Sequence, residues 1–174
     1  VLAKYETSFP ETAHRMYFTS NHDENTWNGT GAEKYGNMLP CLAVFSCTWN
    51  GIPLIYSGEE MPNLKRLQFF EKDAIEWTDT YQLHDFYKTL LTLRKSNPAL
   101  RSADAAVTTF HIITEGGKNI MAFLRKNDFY EVLVFLNLSN EASAFSIKDQ
   151  MINNTYTNVF NGLENYLEPD TFLK

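Results

Sequence analysis

Asn21, His22, Asp23 and Glu24 form a run of four polar side chains directly after an apolar, aromatic stretch, in the sequence RMYFTSNHDENTW. This pattern is typical of a buried strand that leaves a core and delivers its last residues into a cleft. An imidazole titrates near neutral pH and can donate a hydrogen bond, whereas a carboxylate accepts one. Side by side, these groups suit the vicinal hydroxyls of a polyhydroxylated substrate.

Two other interpretations use the same side chains. In the structural one, Asn21 and Asp23 cap a turn and His22 hydrogen-bonds the backbone. In the metal-site one, His22, Asp23 and Glu24 bind a single ion. Adjacent residues rarely converge on one ion, and no HxxxH or CxxC spacing accompanies them. The residue types therefore leave a structural role and a hydroxyl-binding site open, and they predict no metal ligands.

The elements that must position this run are two short strands with a helix between them. Apolar patterns predict strands at residues 15–20 and 51–56, and Asn and Gly residues predict a loop at residues 25–31. A helix is predicted over residues 33–49, either kinked at Pro40 or beginning there. In a parallel strand–helix–strand unit both strands end at one edge. The acidic side chains after the second strand should therefore lie beside the polar run.

An irregular segment and a second helix follow. Residues 61–80 are predicted to be irregular, and a 3.6-residue period predicts a helix over residues 81–97. Asp79 or Thr80 can cap this helix, and Pro98 ends it.

The last third of the chain predicts a small antiparallel module. β-rich runs alternate with turn residues, and a Gly116-Gly117 pair predicts a hairpin between the first two runs. A linker is expected at residues 98–106, and Phe172 and Leu173 could begin a further strand. The predicted strands span residues 107–114, 119–125, 132–138, 144–147 and 155–160.

The composition argues against two classes of protein, those that bind nucleic acid and those that span a membrane. Of 174 residues, 21 are acidic and 15 basic, for a formal charge of −6, and no Lys or Arg cluster predicts nucleic-acid binding. No stretch is apolar enough to predict a membrane span. Cys41 and Cys47 lie six residues apart on one predicted helix, a spacing that does not bring two side chains together. We therefore expect buried thiols rather than a disulfide between them. The chain opens without a visible leader and begins and ends in mid-pattern, which is expected of a piece of a longer protein.

Three segments together resemble the α-amylase family, glycoside hydrolase family 13. The sequence FTSNHD at residues 18–23 resembles the end of the family's seventh barrel strand, and GIPLIYSGEE at residues 51–60 resembles its eighth-strand segment. The sequence LTLRKSNPAL at residues 91–100 resembles the end of the eighth barrel helix. The resemblance implies an α/β remnant of a (β/α)8 barrel at residues 1–101, followed by a small antiparallel β-sandwich at residues 102–174.

The resemblance also implies roles for individual residues. Asp23 matches the carboxylate that stabilises the transition state, and His22 matches the histidine that hydrogen-bonds the same sugar ring. Asn21 would support them, and Glu60 would be the eighth-strand glutamate beside the site. Trp27, predicted to lie in the following loop, is a candidate for sugar stacking. The substrate would be an α-1,4-linked glucan such as starch or a maltooligosaccharide.

One departure from the family's pattern limits the activity expected of this segment. The family's nucleophilic Asp and acid–base Glu follow earlier barrel strands, and no segment here matches either. We therefore expect the segment alone to be inactive, with a non-catalytic starch-binding module as the alternative. The segment should need no cofactor, because the calcium of many family members binds to a domain inserted earlier in the chain. Exposed barrel edges are expected to cause partial unfolding around residues 1–60 or self-association.

Overall fold

Residues 2–10 and 12–174 are described by a computed structural model of the chain. Val1 and Glu11, which belong to the predicted first domain, lie outside the described residues. The structure begins with a short helix. The α-helices are α1 (Leu2–Thr7), α2 (His22–Trp27), α3 (Gly31–Tyr35), α4 (Leu39–Thr48) and α5 (His84–Ser96).

The two predicted strands exist and are parallel. Strand β1 (Met16–Phe18) pairs in register with β2 (Ile52–Leu54), so that Tyr17 lies opposite Pro53. Helices α2, α3 and α4 connect them. The carboxyl ends of both strands therefore lie at one edge, as the polar residues after each strand predict.

The helices differ from the prediction at their boundaries. The predicted loop at residues 25–31 is largely wrong, because α2 extends through Trp27. The predicted helix over residues 33–49 is interrupted by a 3-10 turn at Gly36–Met38, where Gly36 has a φ of +53°. Helix α4 then begins with Pro40 in its first turn, where the missing N–H breaks no helical hydrogen bond.

Helix α5 begins later than the sequence predicts. Leu83 precedes it without a side-chain cap, so the predicted capping by Asp79 or Thr80 is wrong. Asp79 adopts a φ of +55°, outside helical geometry. The predicted end is correct, because the backbone leaves the helix at Asn97 and Pro98 starts a 3-10 turn, Pro98–Leu100.

The C-terminal module consists of antiparallel sheets, as predicted for a sandwich. The strands are β3 (Thr108–His111), β4 (Thr114–Gly116), β5 (Ile120–Lys126), β6 (Glu131–Asn137), β7 (Phe145–Ile147), β8 (Asn154–Thr157), β9 (Glu164–Leu167) and β10 (Phe172–Leu173). One sheet has the order β3-β5-β6, a second has the order β10-β7-β4, and β8 pairs with β9. The predicted strand at residues 107–114 is split, because its two parts pair in different sheets.

The β3-β5-β6 sheet is buried on both faces. On one face, Phe123 packs with Trp49 of the helical half and with Leu100. On the other face, Ala122 and Leu124 pack with Ile147 of the second sheet. Side chains alternate between the two faces of a strand, so β5 contributes to both clusters. This sheet is therefore the middle of three layers, and the helices cover one of its faces.

Arg125 joins the end of the helical half to this sheet. Its buried guanidinium donates hydrogen bonds to the carbonyl oxygens of Ala99 and Arg101, at 3.2 and 2.6 Å, and to Oγ1 of Thr109 at 2.9 Å. Ala99 and Leu100 are also fully buried. The first part of the predicted linker at residues 98–106 is thus fixed in the core.

The parallel pair is less buried than the sequence predicts. Tyr17 packs against the helical core, and its ring meets Phe45 edge to face. Met16, Phe18 and Ile52 are exposed. The prediction of buried strands was therefore wrong for this face, because no described element covers it.

We predict that Arg125→Lys lowers the free energy of unfolding by about 2–4 kcal/mol, because a lysine cannot reproduce the planar fork that satisfies three acceptors. Urea denaturation followed by circular dichroism measures the change. The matched control is Arg101→Lys, because the Arg101 side chain is 68% exposed. That control should stay within about 0.5 kcal/mol of the unsubstituted chain. Equal losses in both variants would contradict the role of Arg125.

Candidate functional site

Glu59 links the ends of the two parallel strands. The hydroxyl of Thr19, just after β1, donates to Oε1 of Glu59 at 2.6 Å. The backbone N–H of Tyr56 and the hydroxyl of Tyr87 on α5 donate to Oε2, at 3.2 and 3.5 Å. One carboxylate thus holds together the exits of β1 and β2 and the side of α5. The sequence predicts acidic side chains after the second strand, but it does not predict that one of them links both strands to α5.

Burial raises the pKa of the Glu59 carboxyl above its ordinary value of 4.5. The hydrogen bonds from Thr19, Tyr56 and Tyr87 oppose that rise because they favour the ionised form. The pKa of Glu59 is raised overall, so the effect of burial is larger than the combined effect of the three hydrogen bonds. The same surroundings raise the pKa of the Tyr87 hydroxyl, again mainly through burial.

Asn21 caps helix α2. Its Oδ1 accepts a hydrogen bond from the backbone N–H of Glu24 at 2.8 Å. The structural interpretation of the polar run is therefore correct for Asn21, which ends the β1 connection and starts the helix. His22 and Asp23 follow in the first turn of α2.

His22 and Asp23 point into solvent at this edge. Their side chains are 73% and 57% exposed, and Nε2 of His22 lies 3.6 Å from Oδ2 of Asp23. The pair offers an imidazole donor and a carboxylate acceptor at a spacing that neighbouring hydroxyl groups can bridge. The structure therefore keeps the hydroxyl-binding interpretation open for these two residues.

Glu24 is engaged in an ion pair. Nζ of Lys34 lies 3.1 Å from its Oε2, and Nδ2 of Asn28 donates to its Oε1 at 3.1 Å. The hydrogen bond from Lys34 is the main reason that the pKa of the Glu24 carboxyl is lowered. Across residues 2–10 and 12–174, no cluster of three or more His, Cys, Asp or Glu side chains is arranged to hold a metal ion.

Trp27 is the last residue of α2 rather than part of a loop. Its side chain is exposed and contacts two phenylalanine rings from the irregular segment, with ring centroids 5.3 Å from Phe69 and 6.1 Å from Phe70. His22 also stacks on Phe69, at 6.4 Å and an interplanar angle of 20°. Trp27 and His22 are therefore brought together by a shared neighbour.

Glu60 lies in a different environment from Glu59. Its backbone carbonyl accepts a hydrogen bond from the N–H of Leu83. Its side chain borders an open cleft of about 440 Å³, together with Tyr81, His84 and Asp85. The cavity lined by Ser20, Asn25 and Glu59 is separate and much smaller, at about 20 Å³. Glu60 is thus beside the strand ends but does not line the cavity of the strand exits.

Asn25 is a structural member of the site that sequence reasoning missed. It is buried, its Nδ2 donates to the carbonyl of Lys65 at 3.1 Å, and its Oδ1 accepts from the N–H of Leu67 at 2.8 Å. Thr26 adds a bond from its hydroxyl to the Leu67 carbonyl at 2.7 Å. These bonds fix the irregular segment against α2. An asparagine next to aromatic and acidic residues carries no signal of such a distant partner.

Comparison with curated proteins finds α-amylase-family relatives. The chain is 28% identical over 160 residues to α-amylase 2 of Dictyoglomus thermophilum, covering 85% of this chain and 26% of that protein. It is 28% identical over 146 residues to α-amylase MalA of Haloarcula japonica, covering 82% of this chain and 20% of the relative. It is 27% identical over 150 residues to a cyclomaltodextrinase of a Bacillus species, covering 79% of this chain and 25% of that protein. The chain thus spans about a quarter of the length of these relatives.

Comparison with solved structures gives the same answer for the fold. The maltogenic α-amylase AmyB of Thermotoga neapolitana matches 99% of this chain and 42% of its own, with a TM-score of 0.78 and 18% identity. An α-amylase of Lactobacillus plantarum matches 98% of this chain and 38% of its own, with a TM-score of 0.68 and 19% identity. No protein-family profile matches the chain. The predicted resemblance to the α-amylase family is confirmed.

The raised pKa of Glu59 predicts a pH-dependent cost to stability. The carboxyl group of Glu59 binds its proton more tightly in the folded protein than in the unfolded chain. The contribution of Glu59 to the free energy of unfolding therefore falls as the pH rises above 4.5. The stability of the unsubstituted chain relative to Glu59→Gln should therefore decline from pH 4.5 upward, as measured by urea denaturation across pH.

Glu24→Gln is the matched control. The pKa of Glu24 is lowered, so its contribution should be present above pH 4.5 and should be lost as pH falls below that value. The two variants should thus show pH dependences of opposite sign. Parallel curves for both would contradict the assigned environment of Glu59.

Proposed function

We propose that this chain is part of an α-amylase-like retaining glycosidase that acts on α-1,4-glucosidic bonds in starch, maltodextrin or related glucans. Its contribution is the edge at which β1 and β2 end. The observation that carries this proposal is the 2.6 Å bond from Thr19 to Glu59, which holds the polar run beside the second strand's exit. The names of the similar proteins, α-amylases and a cyclomaltodextrinase, support the substrate class.

The order of elements supports an origin in a (β/α)8 barrel. A strand, helices, a parallel strand and a further helix follow one another, and such units build the barrel wall. We assign residues 1–101 to these barrel units and residues 102–174 to the β-sandwich domain. Active sites of such barrels lie at the carboxyl ends of the strands, which is where Asn21, His22 and Asp23 are found.

In this proposal Asp23 stabilises the transition state and His22 orients the sugar ring. As a glycosidic bond breaks, the ring becomes oxocarbenium-like and positively charged. A carboxylate such as Asp23 that holds ring hydroxyls favours this state over the neutral ground state. His22 can donate a further hydrogen bond to the same ring, and Asn21 fixes the start of α2 that carries both. Glu60 lies at the border of the site, and Trp27 offers a face for sugar stacking.

The segment alone is proposed to be inactive. Retaining hydrolysis needs two carboxyl groups about 5–5.5 Å apart on either side of the bond. Of the acids near the edge, Glu59 is hydrogen-bonded to Thr19 and Tyr56, and Glu24 is paired with Lys34. We assign neither as the nucleophile or the general acid, because both carboxylates hold neighbouring elements of the structure together. The proposed roles of Asp23 and His22 need no cofactor in this segment, and we assign any calcium to the upstream part.

A specific observation favours a second candidate, a non-catalytic starch-binding module. Trp27 is 58% exposed beside two exposed phenylalanines, as stacking surfaces for sugars require. Trp49 is buried in the core and does not belong to such a surface. Tight maltooligosaccharide binding by the isolated chain, measured by calorimetric titration, would favour the module.

We expect no reducing-sugar release from soluble starch by the isolated chain or by its Asp23→Asn variant, because the nucleophile and general acid are absent. Circular dichroism confirms that both proteins are folded in the assay. Starch hydrolysis that disappears in Asp23→Asn would overturn the proposal of an incomplete site.

In the full-length parent, Asp23→Asn should lower kcat/KM at least about a hundredfold, because a charge aimed at the developing cation is lost. Asp128→Asn is the matched control, because Asp128 is exposed in the turn between β5 and β6. That control should retain the activity of the parent. Retained activity in Asp23→Asn would exclude the assigned role.

We also propose that the isolated chain self-associates through the exposed face of the parallel pair. Met16, Phe18 and Ile52 share that face, and unpaired strand edges flank it in the described chain. Gel filtration should show a species larger than a monomer, and Phe18→Glu should shift it to the monomer. Phe129→Glu is the control, because Phe129 is exposed in a distant turn. A compact monomer with a sharp melting transition would contradict this proposal.

A further inference from the structure

We propose that Lys34 of α3 is a positioning residue of the candidate site, because its ammonium group binds the chain on both sides of the turn that presents His22 and Asp23. This inference rests on the proposed function, since it names a residue that acts through Asp23 and His22. Lys34 is assigned no contact with the substrate. Its role is to hold the two side chains that are assigned such a contact.

The ammonium group of Lys34 has two acceptors that enclose the turn. Nζ donates to the backbone carbonyl oxygen of Thr19, before the polar run, at 3.1 Å. It also donates to Oε2 of Glu24, the last residue of the run, at 3.1 Å. An ammonium group carries three donors in a compact volume, so it can hold two parts of the chain at once. Lys34 thereby ties the backbone before the turn to the side chain after it.

Helix α2 needs such a tertiary contact because it has only six residues. Isolated helices shorter than about 12–15 residues are marginal in water. Asn25 and Thr26 fasten the second half of α2, because their side chains bond the backbone of the irregular segment after β2. Asn21 caps the first turn locally, and the bond from Lys34 to Glu24 ties that turn to α3. Both halves of the short helix are therefore held from outside.

Burial distinguishes this contact from an ordinary surface ion pair. The Lys34 side chain is 12% exposed and the Glu24 side chain is 33% exposed. Exposed ion pairs contribute little because water screens both charges, whereas charge-assisted hydrogen bonds are stronger where water is excluded. The ring of Tyr35 lies 5.1 Å from Nζ and covers a further part of the ammonium group. The ammonium group is thus held in one place rather than moving in solvent.

Thr19 connects Lys34 to the carboxylate that holds the two strand ends. Its carbonyl oxygen accepts from Lys34, and its hydroxyl donates to Oε1 of Glu59 at 2.6 Å. Burial raises the pKa of Glu59, and the positive charge of Lys34 is one of the effects that oppose this rise. Lys34 therefore holds the exit of β1 through the backbone of Thr19, while Glu59 holds it through the side chain.

Helix α3 does not need the ammonium group of Lys34 for its own formation. Thr30 and Glu33 form a capping box at its start, and Nε of Arg66 lies 2.8 Å from Oε2 of Glu33. Removing the ammonium group should therefore loosen the first turn of α2 and leave α3 in place. This difference separates a positioning role from a general loss of stability.

The first test is amide hydrogen exchange in the chain and in Lys34→Met, followed residue by residue by NMR. Methionine keeps an unbranched apolar side chain but has no ammonium group. We expect at least about tenfold faster exchange at the amides of Glu24 and Asn25, which donate to Asn21. The amide of position 34, which donates to the carbonyl oxygen of Thr30, should exchange at an unchanged rate.

Lys88→Met is the matched control, because Lys88 is exposed on α5. That control should exchange like the unsubstituted chain. Lys34→Arg keeps the positive charge but replaces the compact ammonium group by a planar fork, so its exchange at Glu24 should be intermediate. It is also the variant to be measured if Lys34→Met does not fold. An unprotected Glu24 amide in the unsubstituted chain, unchanged exchange in the variants, or an equal increase in α2, α3 and β5 would overturn the inference.

The second test is a double-mutant cycle in the full-length parent. Lys34→Met should lower kcat/KM about tenfold when Asp23 is present, and by no more than about twofold in an Asp23→Asn background. The second factor is smaller because most of the effect of Lys34 runs through the charge that Asp23→Asn removes. A purely structural role would lower kcat/KM by the same factor in both backgrounds, and that result would contradict the inference.

The two tests separate this inference from the proposed function. If Asp23→Asn loses activity while Lys34→Met gives equal factors in both backgrounds, the proposed function stands and the positioning role of Lys34 fails. If Asp23→Asn retains the activity of the parent, the proposed function fails, and the exchange rates at Glu24 and Asn25 alone decide whether Lys34 orders the turn.

Discussion

The carboxylate of Glu59 is the point on which the arrangement of the candidate site depends. It accepts hydrogen bonds from Thr19 after β1, from Tyr56 after β2 and from Tyr87 on α5. Its burial carries a cost, which the raised pKa records. Its hydrogen bonds fix the relative positions of the two strand ends and α5. Here the fixed geometry is the edge that carries His22 and Asp23.

The β3-β5-β6 sheet gives this edge a rigid foundation. The sheet is buried on both faces, so the helical half and the second sheet are packed against the same strands. Phe123 meets the ring of Trp49 at 4.8 Å, and Arg125 binds the carbonyls of Ala99 and Arg101. The proposed division at residue 101 thus runs through a shared core. The two parts are expected to unfold cooperatively, because each one covers apolar surface of the other.

The parallel pair and the position of the polar run could be predicted from sequence, because an apolar stretch that ends in polar residues is typical of a strand, although one face of this pair is exposed. Helix α2 was missed, although Asn21 followed three residues later by Glu24 is a helix-start pattern. The loop composition of residues 25–31 outweighed it. Thr30 and Glu33 form a capping box that also has a sequence signal. The bonds of Asn25 to Lys65 and Leu67 join residues about 40 positions apart, and no local pattern encodes them.

In the proposed function, the exposure of His22 and Asp23 leaves the edge open to a sugar and is also the reason that catalysis would need the rest of a barrel. Two charges 4 Å apart interact by about 1 kcal/mol in water and by about 4 kcal/mol at an effective dielectric constant of 20. With His22 and Asp23 more than half exposed, their effect on a developing positive charge is close to the weaker limit. Covering strands and loops would exclude water and strengthen the same two groups without moving them. Such strands would pack on the exposed apolar face formed by Met16, Phe18 and Ile52. Completing the barrel would therefore bury that face and, at the same time, shield the site from water.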